Sequence, residues 1–198
     1  MTGIGGRAAP SSSLPAAGRR PVVVIRAAEP RDAPALTRLA AEIAAEDGAW
    51  LLSTDGRRSV ADERRYLRAV RGHADAAVFV ADDDGLVVGR LSLARDPHPA
   101  SPHVADLALM VAASHRRRGL GRGLLEQAVR WALASGVTKL ELHVFPWNEP
   151  AVRLYESFGF AREGLRRRHY LRGGVEVDAV LMAYHLPSAR ESPPAPAP

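Results

Sequence analysis

The 198-residue sequence predicts one mixed α/β or α+β domain, a single sheet flanked by helices. Three observations predict it. Strand-like and helix-like runs interleave from Val22 to Tyr184. Antiparallel hairpin signals stand towards both ends. Between them, an apolar run (Ala105 to Ala113), a Gly-rich turn (Ser114 to Gly123) and an amphipathic run (Leu124 to Ala134) spell strand, tight turn and helix.

Taken in order, Met1 to Arg20 carries Gly, Ser, Pro and Arg and reads as a disordered tail, as does 188–198; the domain is expected over 21–187. The β-branched run Val22-Val23-Val24-Ile25 opens as a strand. Pro30 and Asp32 start a helix through Ala45 with Leu36, Leu39, Ala40 and Ile43 on one face. A loop is expected over Ala49 to Ser59, holding Trp50, Leu51 and Leu52, then a helix over Val60 to Arg71. Ala76 to Ala81 and Leu86 to Ala94 read as strands joined by the turn Asp82-Asp83-Asp84-Gly85. Such an acidic run suits a metal or a solvated turn, and the turn chemistry of Asp and Gly favours the second. After the Gly-rich turn the helix places Leu120, Leu124, Leu125, Ala128, Val129, Ala132 and Leu133 on one stripe, and Ser135-Gly136 caps it. Along Lys139 to Phe145, Leu140, Leu142 and Val144 face one way, Glu141, His143 and Phe145 the other. Asn148 starts a helix to Phe158 and Gly159 ends it. Phe160 to Gly164 and Glu176 to Tyr184 are the last strands, with Arg166 to Gly174 as the connection between them.

Composition narrows the function. Hydrophobic residues make up 46% and charged residues 25%, as in an ordinary globular chain. No apolar run is long enough to cross a membrane and the first residues lack a signal-peptide core, so a cytoplasmic location is the default expectation. Cysteine is absent, which excludes disulfides, Cys-ligated metals and a Cys-based acyl-enzyme. The histidines outside the site discussed below, His73, His98, His115, His169 and His185, are scattered and form no metal constellation. The net charge of +5 suits an anionic ligand, nucleic acid or a phosphorylated cofactor. Aromatics, at 6%, do not line one strand as a single-strand nucleic-acid platform requires.

The Gly-rich turn, Ser114-His115-Arg116-Arg117-Arg118-Gly119-Leu120-Gly121-Arg122-Gly123, opens a helix. A helix N-terminus presents unpaired N–H groups, and its dipole favours negative charge. The turn reads as a phosphate or pyrophosphate cradle, or as a purely structural turn with solvated arginines. It is not a Walker loop, because Leu124 and Leu125 stand where Lys and Ser or Thr are needed. It is not a dinucleotide fingerprint, because it comes late and its glycine spacing differs.

Arg116-Arg117-Arg118-Gly119-Leu120-Gly121 resembles the Arg/Gln-x-x-Gly-x-Gly/Ala motif of the GNAT superfamily of N-acetyltransferases. Asn148-Glu149-Pro150-Ala151-Val152-Arg153-Leu154-Tyr155-Glu156-Ser157-Phe158-Gly159-Phe160 resembles that family's second signature, Asn-x-x-Ala-x-x-Leu-Tyr-x-x-x-Gly-Phe. The closing segment, Glu163-Gly164 through Asp178 to Met182, is similar to a bacterial branch acting on small amines, amino acids or protein amino groups. The resemblance covers roughly Val22 to Leu186. It implies a central, mostly antiparallel twisted sheet with splayed central strands, flanked by helices. It also implies acetyl-CoA as co-substrate and no metal.

On this resemblance, backbone N–H groups from Arg117 to Arg122 hold the pyrophosphate, and Gly119 and Gly121 keep side chains clear of it. Arg116 shapes the loop; Arg117, Arg118 and Arg122 either reach the phosphates or are solvated. The pantetheine arm pairs with the main chain of Leu109, Met110 and Val111 between the splayed strands, and an N–H near Val111 faces the oxyanion. The implied cofactor-binding set is Leu109, Met110, Val111, Arg116, Arg117, Arg118, Gly119, Leu120, Gly121, Arg122, Asn148 and Tyr155. Tyr155 is the acid for the departing thiolate; its alternative is a core aromatic. The base that takes the amine's proton is His143, with Glu141 on the same face and Asp106 across from it as competitors; His143 is otherwise a hydrogen-bonded strand residue. His103 is a further candidate for the acceptor site. The loop Ala49 to Ser59 and the segment Arg166 to Gly174 are expected to wall the acceptor, with Trp50, Trp147, Arg168, His169 and Tyr170 as contacts; the alternative for Arg166-Arg167-Arg168 is a solvated hairpin. The implied function is direct acetyl transfer to a primary amine of an amino acid or other small amine. Its alternatives are a protein N-terminus or lysine as acceptor and a non-catalytic acyl-CoA sensor. A small amine or a protein amino group is the expected partner, nucleic acid and membrane are not, and a homodimer stays open.

Overall fold

The computed structural model describes residues 23–48, 50 and 58–186. The tails expected at 1–20 and 188–198, Val22 of the first strand, and Leu51 and Leu52 of the loop lie outside the described residues.

β1 (Val24–Ala27) leads through a short 3-10 turn, Pro30–Asp32, into α1 (Ala33–Ala44), whose buried stripe is Leu36, Leu39, Ala40 and Ile43. α2 (Val60–Arg71) starts at Ser59, whose hydroxyl accepts from the Asp62 N–H at 3.1 Å. β2 (Ala76–Asp83), β3 (Leu86–Arg95) and β4 (Val104–Val111) follow as a meander. α3 (Leu120–Ser135) opens on the Gly-rich turn and closes at Gly136 in the left-handed region. β5 (Lys139–Val144), α4 (Glu149–Phe158, capped by the Asn148 side chain), β6 (Ala161–Arg172) and β7 (Val175–His185) complete the chain.

The seven strands form one sheet in the order β1-β2-β3-β4-β5-β7-β6. Every neighbouring pair is antiparallel except β4 and β5. One face is covered by α3 and α4, where Leu91, Leu93, Ala105, Leu107, Leu140 and Leu142 meet Leu124, Leu125, Ala128 and Ala132. The other is covered by α1 and α2, where Val78 and Val80 meet Leu36, Leu39, Ile43 and Leu67. Full burial of each such side chain contributes about 1.5–3 kcal/mol, so the two cores hold the central strands in place.

The feature that positions the site is a gap in this sheet. β4 and β5 pair only over Val104–Asp106 and Lys139–Glu141. Beyond that, β4 runs on to Val111 bonded to β3, and β5 runs on to Val144 bonded to β7. The inner edges of the two strands part and leave backbone groups that a ligand can pair with. The splayed, mostly antiparallel sheet expected from the resemblance is the fold observed.

Two expected elements are corrected. The turn expected over Asp82–Gly85 is confined to Asp84 and Gly85, and β2 runs through Asp83. Asp82 and Asp83 have partners that hold them in the strand: Asp82 accepts from Arg26 Nε at 2.9 Å, and Asp83 meets His115 Nε2 at 3.0 Å. The connection expected over Arg166–Gly174 is mostly strand, because β6 continues to Arg172 and the turn is Gly173-Gly174. Pairing of the arginine run with β7 is interrupted by a bulge between Arg166 and Tyr170, where Arg168 has a φ of 52° and its N–H donates to Asp178 Oδ1 at 2.7 Å.

Candidate active site

A cleft of about 1010 Å³ passes through the gap between β4 and β5. Its lining comes from both sides of the sheet. Leu107, Leu109, Val111, Val144 and Tyr155 belong to the α3–α4 side, and Arg90, Ser92, Ala108, Met110 and His143 to the α1–α2 side. One end is the Gly-rich turn; the other lies between α1, α2 and β3.

At the turn, Gly119 caps α3 with a φ of 81°, which L side chains rarely adopt, and Arg117 also lies in the left-handed region at 64°. The first N–H groups of α3 have no partner in the helix and point out of its end. Arg116 is a structural member of the turn. Its Nε donates to the Val111 carbonyl at 3.0 Å and its two terminal nitrogens donate to Glu46 at 2.7 Å each, which ties the turn to the end of β4 and to the residues after α1. Arg117 and Arg118 are exposed and have no ion-pair partner among the described residues; Arg122 pairs with Glu126 and lies over the Phe158 ring. Gly121 has a packing reason. A Cβ there would come within 2.7 Å of Leu154 Cδ2, so the last glycine of the first signature makes room for the leucine of the second.

Tyr155 projects from α4 into the gap and is only 6% exposed, tilted against Phe160. Burial pushes its phenol well above the ordinary value of about 10, so it is a protonated donor throughout the neutral range. Asn148 holds the start of α4, its Oδ1 accepting from the Ala151 N–H at 3.3 Å, and also lines the cleft. Leu109, Met110, Val111 and Leu120 line it as well.

His143 stands on the opposite side of the gap from Tyr155. Its Nδ1 is 2.7 Å from the Tyr170 hydroxyl, and its Nε2 is enclosed without a hydrogen-bond partner among the described residues. Burial, then the charges of Arg166 and His169, lower its pKa below the usual histidine value, against an opposing pull from Glu141. At neutral pH the ring is therefore neutral, the form able to take a proton. Glu141 is held by Lys139 Nζ at 2.5 Å; it shares the strand face of His143 but does not line the cleft. Asp106 faces Glu141 in the register where β4 and β5 still pair. His103 is exposed and does not line the cleft.

Of the expected acceptor contacts, Trp50 lines the cleft, Tyr170 and His169 surround His143, and Trp147 stacks on Phe145 and donates to the Gly48 carbonyl at 3.2 Å. Arg168 is carried to the outer edge, where it pairs with Glu176. Sequence reasoning missed Thr37, Glu63 and Arg90, which line the α1–α2 end. Glu63 is buried in a helix that is otherwise solvated on its charged face. The signal was present: Val60, Glu63, Leu67 and Val70 share one stripe, so the carboxylate occupies an apolar position.

The chain matches the model of the Acetyltransferase (GNAT) family over residues 37–160. It is 36% identical over 109 residues to the L-amino acid N-acetyltransferase AaaT of Escherichia coli K12, covering 53% of this chain and 65% of that protein. It is 39% identical over 75 residues to the ribosomal protein bS18-alanine N-acetyltransferase of the same strain, covering 38% and 51%. The chain thus matches less than two thirds of the length of either relative. Among solved structures, the GNAT superfamily phosphinothricin acetyltransferase of Sinorhizobium meliloti in complex with acetyl-CoA shares the fold at 19% identity, with a TM-score of 0.75 over 88% of this chain and 94% of that one. With the family match spanning more than half of the residues and the split sheet, Gly-rich turn and buried Tyr155 in place, this chain belongs to the GNAT acetyltransferase family.

Proposed function

We propose that this protein transfers an acetyl group from acetyl-CoA directly to the primary amine of a small acceptor, an amino acid foremost, in a ternary complex. The observation that carries the reading is the cleft through the sheet, which brings a buried phenol and a neutral imidazole to one molecule from opposite faces.

Acetyl-CoA fits the residues present. The start of α3 offers partnerless N–H groups and a positive dipole end, with Arg117 and Arg118 exposed beside it. The parted edge of β4 at Leu109–Val111 offers main-chain groups to an amide-bearing arm. When bound, acetyl-CoA supplies a thioester activated for acyl transfer. The chain's own residues do the rest. With Nδ1–H donating to the Tyr170 hydroxyl oxygen, His143 presents the Nε2 lone pair and takes the proton from the incoming ammonium. Tyr155 holds its proton until a thiolate departs nearby, then donates it. Leu107, Leu109, Val144 and Leu154 keep the gap apolar, which strengthens both proton transfers by excluding water. The chain has no cysteine to form a thiol acyl-enzyme.

The test is release of free coenzyme A thiol with a panel of L-amino acids, polyamines, aminoglycosides and peptides. Release with free amino acids is expected. Release with peptides alone would move the acceptor to a protein amino group, and binding of acetyl-CoA without release for any acceptor would make the protein a sensor.

A further inference from the structure

We propose that Arg90 and Arg58, held around Glu63 at the α1–α2 end of the cleft, bind the carboxylate of the acceptor, so that the enzyme selects α-amino acids over amines that lack this group. This deepens the acetyltransferase reading and rests on it.

Five buried side-chain polar atoms lack a hydrogen-bond partner among the described residues. Four of them belong to residues lining this one cleft: Thr37 Oγ1, Glu63 Oε1, Arg90 Nε and His143 Nε2; Glu63 Oε1 is ion-paired with Arg90 Nη1 at 3.0 Å, so the unmet atoms are the other three. Buried polar groups are normally satisfied, so three deficits round one cavity mark a place where a polar ligand completes the bonding.

Two of the three, Thr37 Oγ1 and Arg90 Nε, belong to residues of α1 and β3 that line the cleft with Glu63 of α2. Glu63, with its side chain 3% exposed, stands 3.0 Å from Arg90 Nη1 and 3.7 Å from Arg58 Nη1. Both guanidinium groups also lie by the Tyr66 ring, Arg58 at 4.2 Å and Arg90 at 5.8 Å from its centroid. Two permanent cations around one carboxylate leave a net positive charge. A guanidinium fork matches a carboxylate bidentately, which an ammonium does not. The Thr37 hydroxyl adds a donor from α1.

Placement fits the chemistry. In the β3–β4 register Arg90 faces Met110 and Ser92 faces Ala108, on the same side of the sheet as His143. Arg90 and His143 therefore enter the cleft from one face of the sheet, the face on which a carboxylate and its neighbouring amine would both be read. Glu63 acts here as a positioning residue that fixes the guanidinium groups.

The experiment compares the best L-amino acid acceptor with its carboxamide and its decarboxylated amine, in the wild type, Arg58→Ala, Arg90→Lys and Arg90→Met. Thiol release gives kcat/KM, and calorimetry in the presence of coenzyme A gives affinity for the amino acid. Loss of a charge-assisted contact predicts that the wild-type preference for the carboxylate is about tenfold or more and that Arg58→Ala and Arg90→Met each cut that ratio about tenfold. Arg90→Lys should restore part of it. A wild type that accepts all three equally, variants that slow all three in proportion, or activity on peptides alone would each overturn the subsite and leave the ion triad as an anchor of α2 on β3. If no acceptor supports thiol release, the acetyltransferase reading fails. Calorimetry with the L-amino acid panel then still decides the subsite: amino acid binding that Arg58→Ala abolishes supports it, and binding that is absent or unaffected overturns it.

Discussion

Replacing Gly121 by alanine separates two reasons for a glycine in the turn. If the residue is there to let a ligand approach, Gly121→Ala weakens acetyl-CoA binding and leaves the apo protein intact. The structure supplies a packing reason, since the new Cβ would sit 2.7 Å from Leu154 Cδ2. Ordinary contact needs about 3.5–4.0 Å between carbons, so the leucine tip must retreat by roughly 1 Å or α3 and α4 must part. Overpacking of this kind costs about 1–3 kcal/mol. The better helix propensity of alanine returns up to about 1 kcal/mol, less in a first turn. The net is a destabilisation of about 1–2 kcal/mol, or roughly 2–8 °C in Tm for a domain of this size. The assay is thermal unfolding of the apo protein in a cycle with Leu154→Ala. In the Leu154→Ala background the alanine should cost nothing, giving a coupling of about 1 kcal/mol or more. An unchanged Tm, or the same loss in both backgrounds, would refute the packing argument.

Other outcomes follow from the same geometry. Arg116→Ala removes the fork to Glu46 and the bond to the Val111 carbonyl; allowing for its partial exposure, the loss is about 1–2 kcal/mol in unfolding, with weaker acetyl-CoA binding in calorimetry as the turn loosens. Tyr155→Phe should lower turnover while acetyl-CoA affinity holds, because the ring keeps its packing against Phe160 and only the proton is lost. His143→Gln should lower kcat by about 10²–10⁴. With the His143 pKa lowered, its neutral form persists into mild acid, so the acidic limb of kcat/KM should fall below about pH 6.5. Tyr170→Phe, which removes the hydroxyl on Nδ1, should shift that limb; an unmoved limb would mean that His143 is not the titrating base.

What could be read from the sequence follows the reach of each interaction. The helices over Ala33–Ala44, Val60–Arg71 and Glu149–Phe158 are local events, set by apolar spacing and by Ser59, Asn148 and Gly159 at their ends, and they stand close to where the pattern puts them. The two signatures were legible as separate motifs. That they touch, Gly121 on Leu154, was not, because the contact belongs to the packing of two helices 33 residues apart. The strand character of Arg166–Arg172 was hidden by its charge: β6 is a largely exposed edge strand, where Arg168 pairs with Glu176 through its side chain and with Asp178 through its backbone N–H. The carboxylate of Glu63 reads as one more charge in a polar helix until α2 is laid on β3 and Arg90 rises to meet it.

The central claim is direct transfer from acetyl-CoA to an amine that meets His143 and Tyr155 across the split sheet. Mass spectrometry of reactions with acetyl-CoA, with and without an L-amino acid, tests it most directly. The account predicts an N-acetyl amino acid formed in step with thiol release, dependent on the acceptor, reduced in Tyr155→Phe and His143→Gln, with no acetyl group retained on the protein. An acetylated protein accumulating without acceptor, or product formed at full rate by both variants, would contradict it.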